Sequence, residues 1–215
     1  MKKVISFSLW GDDPKYCVGA IKNADLALTF YPDWICRFHV GLSTPKDFIT
    51  QLKSRDNVEV IIKKTQGNWE GMFWRFSDAS DLSVNVMISR DTDSRLNERE
   101  ASAVKEWLES DKKFHIMRDH PYHKTQILGG MWGVKNPFLA DMKHLISNYN
   151  KGDYWQVDQN FLRDVIYPIV NQSYMVHDEF FENNPFPTKR KKGYFVGQAF
   201  NADDSFFEPK HGEML

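Results

Sequence analysis

Val4 to Leu9 is an apolar run rich in strand formers, closed by Trp10-Gly11-Asp12-Asp13. Pro14 opens a helical periodicity that reaches about Tyr31, with Cys17, Ala20, Ile21, Ala24 and Leu28 on one face. Trp34 to Val40 predicts a second strand, Thr44-Pro45 starts a second helix ending near Ser54, and Val58 to Ile62 predicts a third strand. Strands and helices alternating at this spacing predict a parallel sheet covered by helices. Right-handed crossovers then bring the strand C-termini to one edge. Gly67 to Asp81 is polar and aromatic together, with a short helix expected from near Met72. Val84 to Ser89 is a fourth strand with no charge in it, which places it centrally in the sheet. Asn97 caps a helix over Glu98 to Ser110, with Ala101, Val104, Trp107 and Leu108 facing inward.

The second half is less regular. Phe114 to Met117 reads as a strand and Arg118 to Pro121 as a loop. Ile127 to Val134 reads as a strand interrupted by glycines. Phe138 to Tyr149 predicts a helix, Asp158 to Tyr167 another that stops before Pro168, and Tyr194 to Gln198 a last edge strand. The segment from Asp203 to Leu215 has little apolar content and reads as a loose tail or the junction to a further domain. The whole is an α/β chain of one domain, 1–215, without internal repeats.

Composition narrows the function classes. Of 215 residues, 41% are hydrophobic and 27% charged, ordinary for a globular protein with a full core. The formal net charge of -1 and the lack of a dense basic stripe disfavour nucleic acid as a partner. Any anionic ligand must therefore be held by a local arrangement of cations. No apolar run approaches the roughly 20 residues that span a bilayer. Lys2-Lys3 and the apolar stretch behind them mimic a secretion signal, but Gly11-Asp12-Asp13 cuts that stretch short with no small-residue cleavage site. With Cys17 and Cys36 as unpaired thiols, a cytoplasmic location is expected, the host cytoplasm if the source is viral. The 14% of aromatic residues suits either a rich core or the stacking of sugar rings.

Candidate chemistry centres on Arg90-Asp91-Thr92-Asp93-Ser94-Arg95, directly after the charge-free strand. Ligands of open α/β sheets bind outside the carboxyl ends of the strands. Two carboxylates one residue apart can share one hard divalent cation, Mg²⁺ or Mn²⁺, with substrate phosphates completing the shell. Asp91 and Asp93 are the expected metal ligands, and Arg90 and Arg95 supply charge-assisted contacts to a diphosphate. Asp91 and Asp93 as plain turn residues of the following helix is the simpler alternative. Arg75 and Asp78 form either a phosphate and sugar contact or a surface ion pair. Gly129-Gly130 marks a close approach of backbone to a ligand or a bend in the sheet, and Trp132 packs on a sugar ring in the first case. Asp158 reads as a helix N-cap with Gln159 pointing outward from the first turn. His177 is a candidate third metal ligand, though a structural histidine is the commoner role.

These pieces resemble the GT-A class of glycosyltransferases. The stretches Met72 to Ser80 (MFWRFSDAS), Val86 to Ala101 (VMISRDTDSRLNEREA), His115 to Pro121 (HIMRDHP) and Leu128 to Gly133 (LGGMWG) resemble the glycosyltransferase domains that act in chlorella-virus capsid glycosylation and related bacterial polysaccharide proteins. The resemblance implies a mixed, mostly parallel Rossmann-like sheet, with a nucleotide-binding half over about 1–95 and an acceptor half over about 96–200. It implies a Mn²⁺- or Mg²⁺-dependent transfer of a hexosyl or deoxyhexosyl group from a UDP-sugar to a glycan or glycoprotein acceptor. Ser8 and Trp10 would then meet the uracil, and Arg75, Asp78, Arg90, Thr92, Gly130, Trp132 and Gln159 the donor. Asp158 or Asp78 would lie near the anomeric carbon. Retaining bacterial galactosyltransferases offer matches to Arg75 and to Asp158-Gln159, which implies retention. Their His-containing metal motif has no clear match, leaving His177 and His211 as candidates.

Two rival readings fit the same residues. One is a phosphohydrolase of the haloacid-dehalogenase class, using Asp91 and Asp93 with Asp203-Asp204 as its later acidic pair. Three strands precede its motif here, where that class has one. The other is a carbohydrate-binding protein without catalysis, which would account for the aromatics and need no metal.

Overall fold

The computed structural model describes residues 1–149, 152 and 154–215. Its sheet contains β1 (Lys3–Leu9), β2 (Ile35–Val40), β3 (Val58–Ile62), β4 (Val86–Ser89), β5 (Phe114–Arg118), β6 (Trp132–Lys135) and β7 (Tyr174–Asp178) in the order β3-β2-β1-β4-β6-β5-β7. β1 to β4 pair in parallel, and β6 runs against both β4 and β5, while β7 is parallel to β5. The sheet is thus mixed and mostly parallel, with helices on its faces. The strand order turns back at β1 and β4, and a crevice opens beyond the carboxyl ends of such a pair.

Period-two alternation explains both layers. Along β1, Ile5, Phe7 and Leu9 face a core built with Cys17, Ala20, Ala24 and Ala27 of α1 (Pro14–Phe30), whose small side chains let the helix sit close to the sheet. Val4 faces the opposite core, with Met87, Trp132, Val134, Phe76 and Phe161. α2 (Lys46–Lys53) and α3 (Glu98–Glu109) cover the first face, contributing Leu52 and Trp107.

The helix expected near Met72 is a 3₁₀ segment over Trp69–Ser80. Three residues per turn align Phe73, Phe76 and Ala79 in one buried row and Met72, Arg75 and Asp78 in the next. The serines of β1 anchor it. Ser8 Oγ accepts from the Arg75 N–H at 3.1 Å, and Ser6 Oγ lies 2.8 Å from the Arg75 carbonyl.

Several expectations are corrected. The strand expected over Ile127 to Val134 is confined to Trp132–Lys135, because Gly129 and Gly130 belong to a turn. The helix expected from Phe138 begins at Met142, as α4 (Met142–Asn148), after a run of turns. The helix expected to stop before Pro168 runs on, as α5 (Val157–Phe161), a π-helical stretch (Leu162–Ile166) and α6 (Tyr167–Val170). A wide turn just before the proline relieves the clash between its ring and the preceding turn. Asp158 is not the N-cap; Gln156 is, with φ 68°. Tyr194 to Gln198 forms turns, and the edge strand is β7 instead. Nor is the tail loose. Phe206 packs on Phe200 and Tyr194, Asp204 pairs with Lys22 and Arg95, and α7 (Pro209–Gly212) closes the segment. Among the described residues no helix is long and apolar enough to cross a membrane.

Candidate functional site

A cavity of about 630 Å³ opens at the carboxyl ends of β1 and β4. β1 delivers Ser8 and Trp10, the 3₁₀ segment delivers Met72 and Arg75, and the turn after β4 delivers Asp91, Thr92 and Asp93 to its lining. Tyr16, Trp69 and Trp155 stand half-exposed or exposed around it. Six of the residues expected from the sequence, Ser8, Trp10, Arg75, Asp91, Thr92 and Asp93, therefore meet in one place.

Arg75 is the hub. It is buried, and its guanidinium pairs with Asp91 through Nη1 and with Asp158 through Nη2 at 3.2 Å. Burial works against its charge, but the two carboxylates raise its pKa further. The Gly129-Gly130 turn lies against this group: a methyl at Gly129 would overlap Asp158 and Arg75, and one at Gly130 would overlap the Asp91 carboxylate. Gly130 thus acts by making room for Asp91. Asp158 is fully buried behind Arg75, and among the described residues its Oδ1 has no hydrogen-bond partner. Burial, opposed by Arg75, pushes its pKa up. It does not line the cavity and meets it through Arg75.

Asp93 carries the cavity's second carboxylate. Burial and then the charge of Asp91 push its pKa up, while Lys15 opposes them from 3.4 Å. Lys15, in the first turn of α1, was missed from the sequence because nothing in its neighbourhood distinguishes it from a solvated helix lysine. Its ammonium also lies 3.9 Å from the centre of the Phe207 ring. Two carboxylates on one short turn, crowded enough for one to raise the other's pKa, form an all-oxygen donor set of the kind that Mg²⁺ or Mn²⁺ takes alongside phosphate oxygens. The residues present fit such an ion, which Asp91 and Asp93 would hold.

Other expected site residues lie elsewhere. Arg90 is buried with its Nε 3.0 Å from Glu100, and its Nη1 donates to the Ser89 carbonyl, so it ties β4 to α3 and not to a ligand. Arg95 binds Asp204 and the carbonyl of Asn201. Trp132 is wholly buried and stacks on Phe114 at 5.3 Å, so it belongs to the core and not to a sugar site. Asp78 is buried among Ser6, Arg37 and His39, at 2.6, 2.9 and 3.0 Å. Burial works against its charge, but His39 as N–H donor and the Arg37 guanidinium hold its pKa low. Burial also keeps His39 itself neutral, so the compensating charge is that of Arg37. Asp78 is a structural ion, not a sugar contact. Gln159 is half-buried on α5 and does not line the cavity. His177 sits on β7, three strands from β4, with Nδ1 2.8 Å from His115 Nε2. It cannot be a ligand beside Asp91. His211 has its Nε2 2.7 Å from Glu208, and among the described residues no three His, Cys, Asp or Glu side chains gather as a metal cluster. Asp203 and Asp204 face outward near Lys22, which removes the second acidic motif required by the phosphohydrolase reading.

No protein-family model matches the chain, and no curated protein matches it in sequence. Solved structures do match its fold. A glycosyltransferase involved in glycosylation of the major capsid of PBCV-1 aligns with TM-score 0.56 and 14% identity over 83% of each chain. A mannosyltransferase from Pyrobaculum calidifontis, in complex with GDP-Man and Mn²⁺, aligns with TM-score 0.54 and 11% identity, over 81% of this chain and 53% of that one. A 4-diphosphocytidyl-2C-methyl-D-erythritol synthase from Anaerococcus prevotii aligns with TM-score 0.53 and 14% identity, over 88% and 93%. With the strand order described above, these likenesses identify the architecture as the Rossmann-like GT-A fold of nucleotide-sugar glycosyltransferases.

Proposed function

We propose that the chain is a metal-dependent glycosyltransferase, moving a hexosyl or deoxyhexosyl group from a UDP-sugar to a glycan or glycoprotein acceptor. The observation that carries this is the meeting of Asp91, Asp93 and Arg75 at one cavity, at the point where the strand order reverses, with Lys15 paired to Asp93. The GDP-Man and Mn²⁺ complex of a protein with the same fold supports the donor class. Ser8 and Trp10 border the part of the cavity that the nucleoside base would enter, and Trp10 is held edge-on by Trp74 at 5.9 Å. A bound Mn²⁺ or Mg²⁺ would stabilise the negative charge that develops on the leaving diphosphate. Arg75 adds a cationic contact beside the aspartates, and Lys15 balances Asp93 from outside the cavity. Asp158 fixes Arg75 from behind. Retention of anomeric configuration is the expected outcome, by the likeness of Arg75 and the Asp158 behind it to retaining enzymes, and product NMR showing an inverted anomer would overturn it.

Calorimetry of UDP with and without Mn²⁺, followed by a UDP-release screen across UDP-sugars with an EDTA control, tests the reading. Metal-dependent UDP binding and EDTA-sensitive release are expected. A protein that binds sugars but no UDP under any metal condition would instead be a carbohydrate-binding module. One of the proteins that share the fold is a nucleotidyltransferase. Release of pyrophosphate from CTP or UTP, without UDP release from any sugar nucleotide, would move this chain to that class.

A further inference from the structure

A second cavity of about 280 Å³ meets the first across Asp93, Gly197 and Ala199, which line both. It is just below the usual range for small-molecule sites, about 300–1,000 Å³, the size for a single small ring. We propose that this chamber seats the acceptor, and that the acceptor group it takes is an uncharged pyranose and not an anionic one. This rests on the glycosyltransferase reading, because only a donor held at Asp91 and Asp93 would give a neighbouring hydroxyl something to attack.

The aromatic walls come from distant parts of the chain: Tyr122, Phe195 and Phe207. Tyr122 and Phe207 are half-exposed, and such faces suit the C–H surface of a sugar ring. Gln198 lines the same chamber. The residue is 3% exposed, its Nε2 donates to the Gly193 carbonyl at 3.3 Å, and among the described residues its Oε1 has no partner. A buried acceptor left without a donor is uncompensated, and a sugar hydroxyl is a donor of the right kind. Glu208, held at 2.7 Å by His211, offers a second acceptor at the rim.

The charges select against anions. His120 is committed at both nitrogens, Nδ1 accepting from the Tyr122 N–H and Nε2 donating to the His211 carbonyl, each at 3.1 Å. His123 accepts from the Asp119 N–H at 3.0 Å, and burial holds its pKa down to about 3. Lys15 also lines the chamber, but its ammonium is paired with Asp93 at 3.4 Å. Among the described residues, the cations that line the chamber are already paired, so a phosphate or carboxylate placed here would face Asp93 and Glu208 uncompensated, whereas a neutral ring avoids both.

Saturation-transfer NMR on the whole chain with UDP and Mn²⁺ tests this. The probes are the methyl glycosides of glucose, galactose, mannose, N-acetylglucosamine and rhamnose, with methyl glucuronide as the anionic counterpart. At least one neutral glycoside is expected to respond and the glucuronide not. Gln198→Leu, which removes the orphaned acceptor, and Phe207→Ala, which trims an exposed ring, should each weaken that glycoside about fivefold, the effect of one neutral hydrogen bond or stacking contact. Both should leave UDP affinity within about twofold of the parent, since neither residue lines the donor cavity. Silence across the neutral panel, or unchanged binding in both variants, overturns the chamber. A glucuronide response equal to that of the neutral rings overturns the charge selection. Failure of UDP to bind with Mn²⁺ overturns instead the reading on which the chamber rests.

Discussion

At Gly130 the backbone comes so close to the Asp91 carboxylate that no side chain fits between them. Gly130→Ala should therefore push Asp91 out of register with Asp93. Overpacking of this kind costs about 1–3 kcal/mol of stability. Mn²⁺-dependent UDP affinity should fall tenfold or more (about 1.4 kcal/mol per decade). Calorimetry on a folded variant with undiminished affinity would show that the turn does not position the aspartate. Arg90 separates two roles that its sequence neighbourhood could not. Arg90→Met leaves Glu100 buried, with only the Tyr31 hydroxyl at 2.9 Å to compensate it. A loss of about 3–5 kcal/mol in urea unfolding is expected. Intact stability with lost UDP binding would return Arg90 to the donor. The arginine beside the two aspartates looked like a ligand contact because sequence shows adjacency and not direction. Asp91 follows Arg90 by one residue, yet just past the end of β4 Arg90 turns back to Glu100 and Asp91 to Arg75.

At the scale of elements, the alternation of strands and helices through Arg95 was legible because burial imposes a period of two or 3.6 on the residues themselves. The segment Trp69–Ser80 was less so, since a three-residue repeat lies close to a helical one and its anchors, Ser6 and Ser8, are some seventy residues away in the chain. Gly129-Gly130 was legible as a close approach, but not what approaches. The cap of α3 was read from a single residue. Asn97 Oδ1 accepts from the Glu100 N–H at 3.1 Å, as the spacing implied. Asn97→Ala should cost about 1 kcal/mol and lower Tm by about 2–4 °C for a chain of this size. A melting curve superposable on the parent's would mean that the helix is held by packing alone. Because Glu100 also carries the Arg90 pair, losing the cap loosens the end of α3 nearest the turn of Asp91 and Asp93.

The whole molecule buries neutral imidazoles. Burial pulls the pKa of His39, His115, His120, His123 and His177 down, that of His123 to about 3. The unfolded chain takes up these protons near 6.5, the ordinary value, while the native state refuses them. Their contribution to stability is therefore complete above pH 6.5 and is lost as the pH falls. For the fully buried His115, acidification from 6.5 to 5 costs about 2 kcal/mol. Asp93 and Asp158, whose pKa values burial raises, lean the other way, but they are two groups against five. Thermal melts at pH 7.5 and 5.0 should show a Tm several degrees lower in acid; an unchanged or higher Tm would mean that these imidazoles are charged in the native state.

The sequence by itself determined the α/β class, the parallel first half of the sheet and the turn of Asp91, Thr92 and Asp93 at the end of a central strand. Those features are written in local periodicity and in a motif whose parts are neighbours along the chain. Only the tertiary structure decided which charges serve the cavity and which serve the core. Arg75 faces Asp91 and Asp158, whereas Arg90 and Asp78 are buried in ion pairs of their own. It also decided that Lys15, from the first helix, lies between Asp93 and Phe207 of the tail. The physical reason is that a charge's partner is set by distance in space, and these partners are separated by anything from ten residues to nearly the whole chain.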